Sequence, residues 1–156
     1  MPVELALYQP DIPQNTGTLI RLSACLGVAL HVIHPTGFAF SERSLRRAGM
    51  DYIDKALITE HASFAAFDTW RRQNGRRLVL LTTRTRQSAY SVSFASDDIL
   101  MVGRESAGVP DAVAATADLA IRIPMREGLR SINVALAATM ILSEAMRQTS
   151  AFESLT

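Results

Sequence analysis

Cysteine, lysine and histidine are scarce in this chain of 156 residues, which has one cysteine, one lysine and three histidines. The single cysteine, Cys25, excludes an internal disulfide bond and is typical of a reducing compartment such as the cytoplasm. We expect Cys25 to be a small buried apolar residue. Because there is no cysteine pair and no H-E-x-x-H motif, we expect no metal site.

Long apolar runs are also missing. None reaches the roughly 18 residues that cross a bilayer, and the N-terminal MPVELALYQP lacks the basic start of a signal peptide. Hydrophobic residues make up 48% of the chain and charged residues 20%, a balance typical of globular proteins. We therefore expect one domain over residues 1–156, with no membrane segment.

The net charge of +1 hides an uneven distribution of arginine. Six arginines and no acidic residue lie between Thr69 and Ser96, and three more arginines lie within residues 43–47. Arginine binds phosphate oxygens in a two-pronged way, so these segments fit nucleic acid, although solvated helix faces explain them equally well. The candidate RNA contacts are Arg43, Arg46, Arg84 and Arg86.

Short apolar strands alternate with helices along the chain. The predicted strands cover residues 3–8, 29–34, 55–59, 77–83, 98–103 and 119–124. The first predicted helix is capped by Asn15 or Thr16 and ends before Gly27, and the others cover residues 41–48, 63–73, 110–117 and 131–147. This alternation predicts an α/β fold with a mostly parallel sheet flanked by helices.

Three predicted strands end in unusual polar segments, LLTTRT, VGRESAG and RIPMREGLRSIN. Ligands of a parallel sheet bind beyond the carboxyl ends of its strands, so this convergence predicts a binding site. VGRESAG is not part of a P-loop, because Val109 stands where lysine is required. It is not a nucleophile elbow either, because Ser106 lacks a glycine two residues before it and no histidine follows it in the chain.

A site of glycine, apolar strand ends and a few polar side chains suits a flat, neutral heterocycle such as adenine. Methyl transfer from a sulfonium donor needs little more than this, because the donor brings its own leaving group. A plain nucleotide-binding module fits the same residues. These two functions remain open on the residues alone.

Three short motifs then carry a resemblance to a known family. The first motif, IPQNTGTLIR, contains Asn15, Gly17 and Arg21. The second motif, VGRESAGVP, contains Gly103, Glu105, Gly108 and Pro110, and the third, IPMREGLRSIN, contains Ile123, Pro124, Met125, Arg130, Ser131 and Asn133. With these three motifs in this order, the chain resembles the SPOUT superfamily of S-adenosylmethionine-dependent RNA methyltransferases. It is most similar to the small tRNA 2′-O-methyltransferases that act on the wobble cytidine or uridine, as GFAFSERSLRRAGMDY also suggests.

The resemblance implies S-adenosyl-L-methionine as the cofactor and a trefoil knot near the C-terminus. It further implies a homodimer with sites completed across the interface, and the tRNA anticodon stem-loop as the partner. The implied cofactor contacts are Leu81, Gly103, Ile123 and Ser131, with Gly103 letting the backbone approach the cofactor closely. The alternatives are a 2′-O-methyltransferase that acts on ribosomal RNA or on another tRNA position, and a non-enzymatic RNA- or nucleotide-binding α/β module.

The implied catalytic residues are Arg21, Glu105 and Asn15. We expect Arg21 to stabilise negative charge developing on the ribose oxygen, because a guanidinium stays protonated and is a poor base. Glu105 is expected either to hold Arg21 or to accept the proton. Asn133 is expected to orient the start of the last helix or the acceptor nucleotide, or to cap that helix.

Overall fold

The computed structural model describes residues 2–47 and 52–156, and its centre is a six-stranded sheet. Every pairing between neighbouring strands is parallel. The strands are β1 (Glu4–Tyr8), β2 (Leu30–Ile33), β3 (Ile58–His61), β4 (Arg77–Leu81), β5 (Asp98–Val102) and β6 (Leu119–Ile121). They lie in the order β3-β2-β1-β5-β4-β6. The predicted α/β class with a parallel sheet is confirmed.

Five α-helices are assigned within the described residues. They are α1 (Pro13–Leu26), α2 (Glu42–Arg47), α3 (Phe64–Gln73), α4 (Asp111–Ala114) and α5 (Val134–Gln148). Short 3₁₀ turns cover Ile53–Lys55, Ala89–Ser91 and Ala151–Ser154. None of the helices in this part of the chain has the length and apolar character needed to cross a membrane.

Apolar side chains cover both faces of the sheet, and they alternate along each strand. In β1, Leu5 and Leu7 pack into one cluster with residues of α1 and α5. Ala6 and Tyr8 face the other way and pack with Phe67 of α3 and with α4. A parallel sheet covered on both faces has strands that are apolar throughout, which explains the unbroken runs in β4 and β5.

The start of α1 differs from the prediction, whereas its end is confirmed. Ile12 precedes the helix in an extended conformation, and Pro13 occupies the first turn, where a missing N–H costs little. No side chain caps this helix, so the predicted cap at Asn15 or Thr16 is wrong. Gly27 ends it with φ +66°, a left-handed conformation that suits glycine.

The start of α5 also differs. Asn133 is the cap, and its side-chain oxygen accepts hydrogen bonds from the N–H groups of Ala135 and Leu136 at 2.9 and 3.1 Å. The predicted start at Ser131 is therefore too early, and Ser131 lies in the loop before the helix. Of the roles expected for Asn133, capping is confirmed.

Smaller differences concern β3, α2 and Cys25. The strand predicted over residues 55–59 lies three residues later, because Ile53–Lys55 forms a 3₁₀ turn. The end of the second helix, predicted at 48–49, lies outside the described residues. Cys25 is exposed on α1, so its expected burial is wrong. The knot implied by the family resemblance stays a prediction.

Candidate active site

A cavity of about 470 Å³ opens beyond the carboxyl ends of β4 and β5. Its apolar lining comes from Leu80 and Leu81 of β4, Val102 of β5 and Ile123 just after β6. The volume lies in the range of about 300–1,000 Å³ that is typical of small-molecule sites. The three polar segments that follow these strands meet here, as the sequence predicts.

Polar residues from all three motifs complete the lining. Asn15 comes from the first motif, Glu105 and Ser106 come from the second, and Ser131 and Asn133 come from the third. The four predicted cofactor contacts, Leu81, Gly103, Ile123 and Ser131, all line the cavity. Arg21 is not among its lining residues.

Residues 103–108, named here the glycine loop, form a tight turn on one side of the cavity. The N–H of Arg104 donates to the carbonyl of Gly108 at 3.1 Å, and the N–H of Gly108 donates back at 2.8 Å. A Cβ on Gly103 would lie only 2.7 Å from the carbonyl carbon of Gly108. Gly103 is therefore required by the backbone of its own loop, a reason that the sequence alone did not reveal.

Glu105 in the glycine loop is tied to Asp11, which follows β1. The N–H of Asp11 donates to Oε2 of Glu105 at 3.1 Å, and the N–H of Glu105 donates to Oδ1 of Asp11 at 3.2 Å. The hydroxyl of Ser106 also donates to Asp11. Burial and the adjacent Asp11 carboxyl raise the pKa of Glu105. The hydrogen bond with Glu105 lowers the pKa of Asp11.

The first and third motifs touch through two asparagines. Nδ2 of Asn133 donates to Oδ1 of Asn15 at 3.1 Å, while Oδ1 of Asn133 caps α5. This bond fixes the start of α1 relative to the start of α5 at the edge of the cavity. Asn15 therefore holds the two helix starts together, whatever else it contacts.

Arg21 lies on the exposed face of α1, and its guanidinium carbon stands over the Tyr52 ring at 4.6 Å from the centroid. Within the described residues it forms no ion pair with Glu105, whose side chain lies against Asp11 instead. The expected contact in which Glu105 holds Arg21 is therefore wrong within one chain.

Several arginines of the arginine-rich segment form ion pairs with acidic residues, some near in sequence and some distant. Arg71 is 5% exposed and pairs with Asp68 and Asp118, and Arg76 is 2% exposed and pairs with Glu4. These buried guanidiniums maintain the fold. Neither of the two interpretations left open by the sequence, a nucleic-acid-binding face or a solvated face, holds for Arg71 and Arg76.

The four candidate RNA contacts are more accessible. Arg43 and Arg86 are exposed. Arg46 pairs with Asp54 at 2.7 Å, and Arg84 at the cavity pairs with Asp111 at 2.7 Å. In residues 2–47 and 52–156, no group of three or more His, Cys, Asp or Glu side chains is arranged to hold a metal ion.

Asp11 and Tyr52 are site residues that the sequence did not single out. Asp11 sits in PDIP, a segment that by itself predicts only the end of a strand. An acidic residue between two prolines, shortly after a buried strand, could nevertheless have indicated a site residue. Tyr52 ends the segment GFAFSERSLRRAGMDY, but nothing in that segment links it to Arg21 in the first motif.

Residues 2–143 of the chain match the SpoU rRNA methylase family. The chain belongs to this family. One curated relative is a tRNA (cytidine(34)-2′-O)-methyltransferase of Ancylobacter novellus, 57% identical over 97% of this chain and 96% of the relative.

Two solved structures are also similar to this chain. A structure described as "Structural insights into the 2-OH methylation of C/U34 on tRNA" has a TM-score of 0.87 and 41% identity, covering 94% of this chain and 95% of that one. An AdoMet-bound rRNA methyltransferase from Sinorhizobium meliloti has a TM-score of 0.83 and 28% identity, covering 94% of this chain and 56% of that one.

Proposed function

We propose that this protein transfers a methyl group from S-adenosyl-L-methionine to the ribose 2′-hydroxyl of the wobble nucleotide, cytidine or uridine 34, in the tRNA anticodon loop. It does so as one domain spanning residues 1–156. The observation that carries the proposal is the cavity beyond β4 and β5, where segments of all three motifs meet. The relative that acts on cytidine 34 is 57% identical to this chain over nearly its whole length.

The cavity suits adenosylmethionine in size and chemistry. Leu81, Val102 and Ile123 offer apolar surfaces to a flat adenine, and exposed Ser131 offers a hydroxyl. The tight glycine loop lines the same space. When bound, the cofactor supplies an electrophilic methyl group on a positively charged sulfur. Leu81, Gly103, Ile123 and Ser131 are the residues that we assign to holding it.

The remaining chemistry is the handling of charge and of one proton. As the 2′-oxygen forms its new bond to carbon, its proton leaves and negative charge develops on it. Arg21 stabilises that charge or binds the neighbouring phosphate, as a permanently protonated guanidinium can. Glu105 accepts the proton directly or through water, and its raised pKa makes it a better acceptor near neutral pH. Asn15 holds the first motif in place beside the cavity.

In the proposed homodimer, Arg21 of each chain reaches the cavity of the other chain. Leu136 and Met140, one turn apart on α5, are 61% and 41% exposed, and Ala137 between them lines the cavity. α5 packs against α1, which carries Arg21. A second copy that covers the Leu136–Met140 face completes each site, so that Arg21 of the partner subunit serves this cavity.

The anticodon loop is a suitable target, because its unpaired bases can be turned out and recognised singly. Arg43, Arg46, Arg84 and Arg86 are assigned to its phosphates. Arg84 stands at the cavity, and Arg46 lies in α2, within the segment that resembles the wobble-nucleotide subgroup. An exposed single cysteine and a tRNA substrate agree with the cytoplasm as the compartment.

The direct test uses purified protein, labelled adenosylmethionine and synthetic anticodon stem-loops. We expect methylation of a stem-loop with a ribose at position 34, and none when that nucleotide alone is 2′-deoxy. A stem-loop with 2′-deoxy at the next nucleotide is the matched control and should still be methylated. Methylation that persists without the hydroxyl at position 34 contradicts the proposal. A ribosomal RNA fragment is the competing substrate, because the family description names rRNA.

A further inference from the structure

Asp11 joins three loops that follow three neighbouring strands. It lies in the loop after β1 and exchanges backbone-to-carboxylate hydrogen bonds with Glu105, which follows β5. The two residues are 94 positions apart in the chain. The hydroxyl of Ser106 donates to the second carboxylate oxygen of Asp11. Both oxygens of Asp11 are therefore occupied by the glycine loop.

The third loop follows β2 and presses on the backbone of Asp11. A Cβ on Gly37 would lie 2.6 Å from Cβ and 2.9 Å from Cα of Asp11. The N–H of Gly37 donates to the carbonyl of Pro10 at 2.9 Å. This contact admits only glycine at position 37, and it leaves Asp11 little freedom to turn away from Glu105.

Two carboxyl groups held this close affect each other's ionisation, because the negative charge on one disfavours a negative charge on the other. Burial and Asp11 raise the pKa of Glu105, while the hydrogen bond with Glu105 lowers the pKa of Asp11. Of the two carboxyl groups, Glu105, which lines the cavity, therefore has the higher affinity for a proton.

Two arginines also line this cavity, and both are bound to groups other than Glu105. The Arg104 guanidinium donates to the carbonyl of Gly108 at 3.0 Å and lies over the Tyr8 ring. Arg84 binds Asp111 and the carbonyl of Val109. Among the described residues, Asp11 is the charged side chain that acts on the ionisation of Glu105.

We infer that Asp11 is a positioning residue, which holds Glu105 at the edge of the cavity and makes its carboxylate a stronger proton acceptor for the ribose hydroxyl. This inference rests on the proposed function of Glu105. Asp11 itself needs no contact with cofactor or RNA. A raised proton affinity at Glu105 favours removal of the hydroxyl proton near neutral pH.

The test replaces Asp11 by asparagine, which keeps an oxygen for the N–H of Glu105 and removes the charge. The pKa of Glu105 is followed by carboxyl-carbon NMR, with its signal assigned by its loss in Glu105→Gln. We expect this pKa to fall in Asp11→Asn. Asp97→Asn, at the opposite end of β5, is the matched control and should leave it unchanged. An unchanged pKa of Glu105 in folded Asp11→Asn overturns the inference.

The pH dependence of methylation then separates the positioning role of Asp11 from the role of Glu105 as proton acceptor. Single-turnover methylation is lost at low pH when Glu105 becomes protonated, so its acidic limb should move to lower pH in Asp11→Asn and stay in place in Asp97→Asn. If the pKa of Glu105 falls but the limb does not move, Asp11 keeps its positioning role and Glu105 loses its role as proton acceptor. Should the asparagine variant not fold, Asp11→Ser, which keeps a polar oxygen without charge, gives the same readouts.

Discussion

The guanidinium of Arg21 stacks over the ring of Tyr52, 4.6 Å from its centroid. This contact joins α1 to the segment that follows α2, two parts of the chain that resemble different motifs of the same family. The stack limits where the Arg21 side chain can reach. It also makes Tyr52 a support for the residue that we assign to charge stabilisation.

The first prediction concerns this stack. Tyr52→Leu removes the ring, and exposed cation–π contacts contribute about 0.5–1 kcal/mol. We expect its single-turnover methylation to slow by about two- to fivefold. Tyr52→Phe keeps the ring and should methylate at the wild-type rate. A phenylalanine variant as slow as the leucine variant would assign the effect to the hydroxyl and not to the stack.

The second prediction concerns Gly103. Alanine there meets the Gly108 backbone, which cannot move aside as a flexible side chain can. Overpacking of this kind costs about 1–3 kcal/mol, so we expect adenosylmethionine affinity, measured by calorimetry, to fall by about tenfold or more. Gly75→Ala is the control, because Gly75 has positive φ and open space around it. It should lower the melting temperature and leave cofactor affinity intact.

The third prediction concerns the accessible arginines. Replacing Arg84 and Arg86 by glutamine should weaken tRNA binding and flatten its dependence on salt, each lost phosphate contact lowering the slope by about 1. Arg72→Gln is the control within the same arginine-rich segment, since Arg72 is exposed and pairs with Asp68 on α3. A slope that is unchanged in the double variant removes both arginines from the RNA interface.

The sequence predicts the buried strands of the fold but not the acidic partners of these arginines. The buried strands β4 and β5 were predictable, because short apolar runs such as LVLL and ILMV are typical of strands buried in a parallel sheet. The acid that each arginine meets was not. Arg71 and Asp118 are 47 residues apart, and Asp11 and Glu105 are 94 apart. Only the order of the strands brings such pairs together.

The start of α1 was less predictable for a local reason. α1 begins with a proline in its first turn and has no side-chain cap. Asn15 and Thr16, which the sequence offers as caps, therefore lie inside the helix. Most of the cavity lining was predictable, because the polar segments after β4, β5 and β6 have to meet at one edge of a parallel sheet. The position of Arg21 outside the cavity was not.

The fourth prediction concerns Arg21 and the proposed site formed by two subunits. Arg21→Ala should slow single-turnover methylation by about 100-fold or more, as expected for the loss of a preorganised charge-stabilising donor. Its cofactor affinity should stay near that of the wild type, and Arg21→Lys should recover part of the rate. Circular dichroism and melting curves establish that the variants fold.

Mixing inactive variants shows which cavity Arg21 serves. When Arg21→Ala and Glu105→Gln chains exchange subunits, one cavity of each mixed dimer has an intact Glu105 and receives Arg21 of the partner subunit. Activity should therefore return on mixing, up to one competent site per mixed dimer. No recovery from dimers proven to be mixed means that Arg21 serves the cavity of its own chain.

The position of the methyl group on RNA is tested most directly by nucleotide mapping. Mass spectrometry of tRNA and ribosomal RNA from cells lacking this gene should show the loss of 2′-O-methylation at tRNA position 34 and at no ribosomal position. The wild-type gene should restore it, and a gene carrying Arg21→Ala should not. Methylation that persists at position 34 while a ribosomal or other tRNA 2′-O-methyl group disappears would contradict the account.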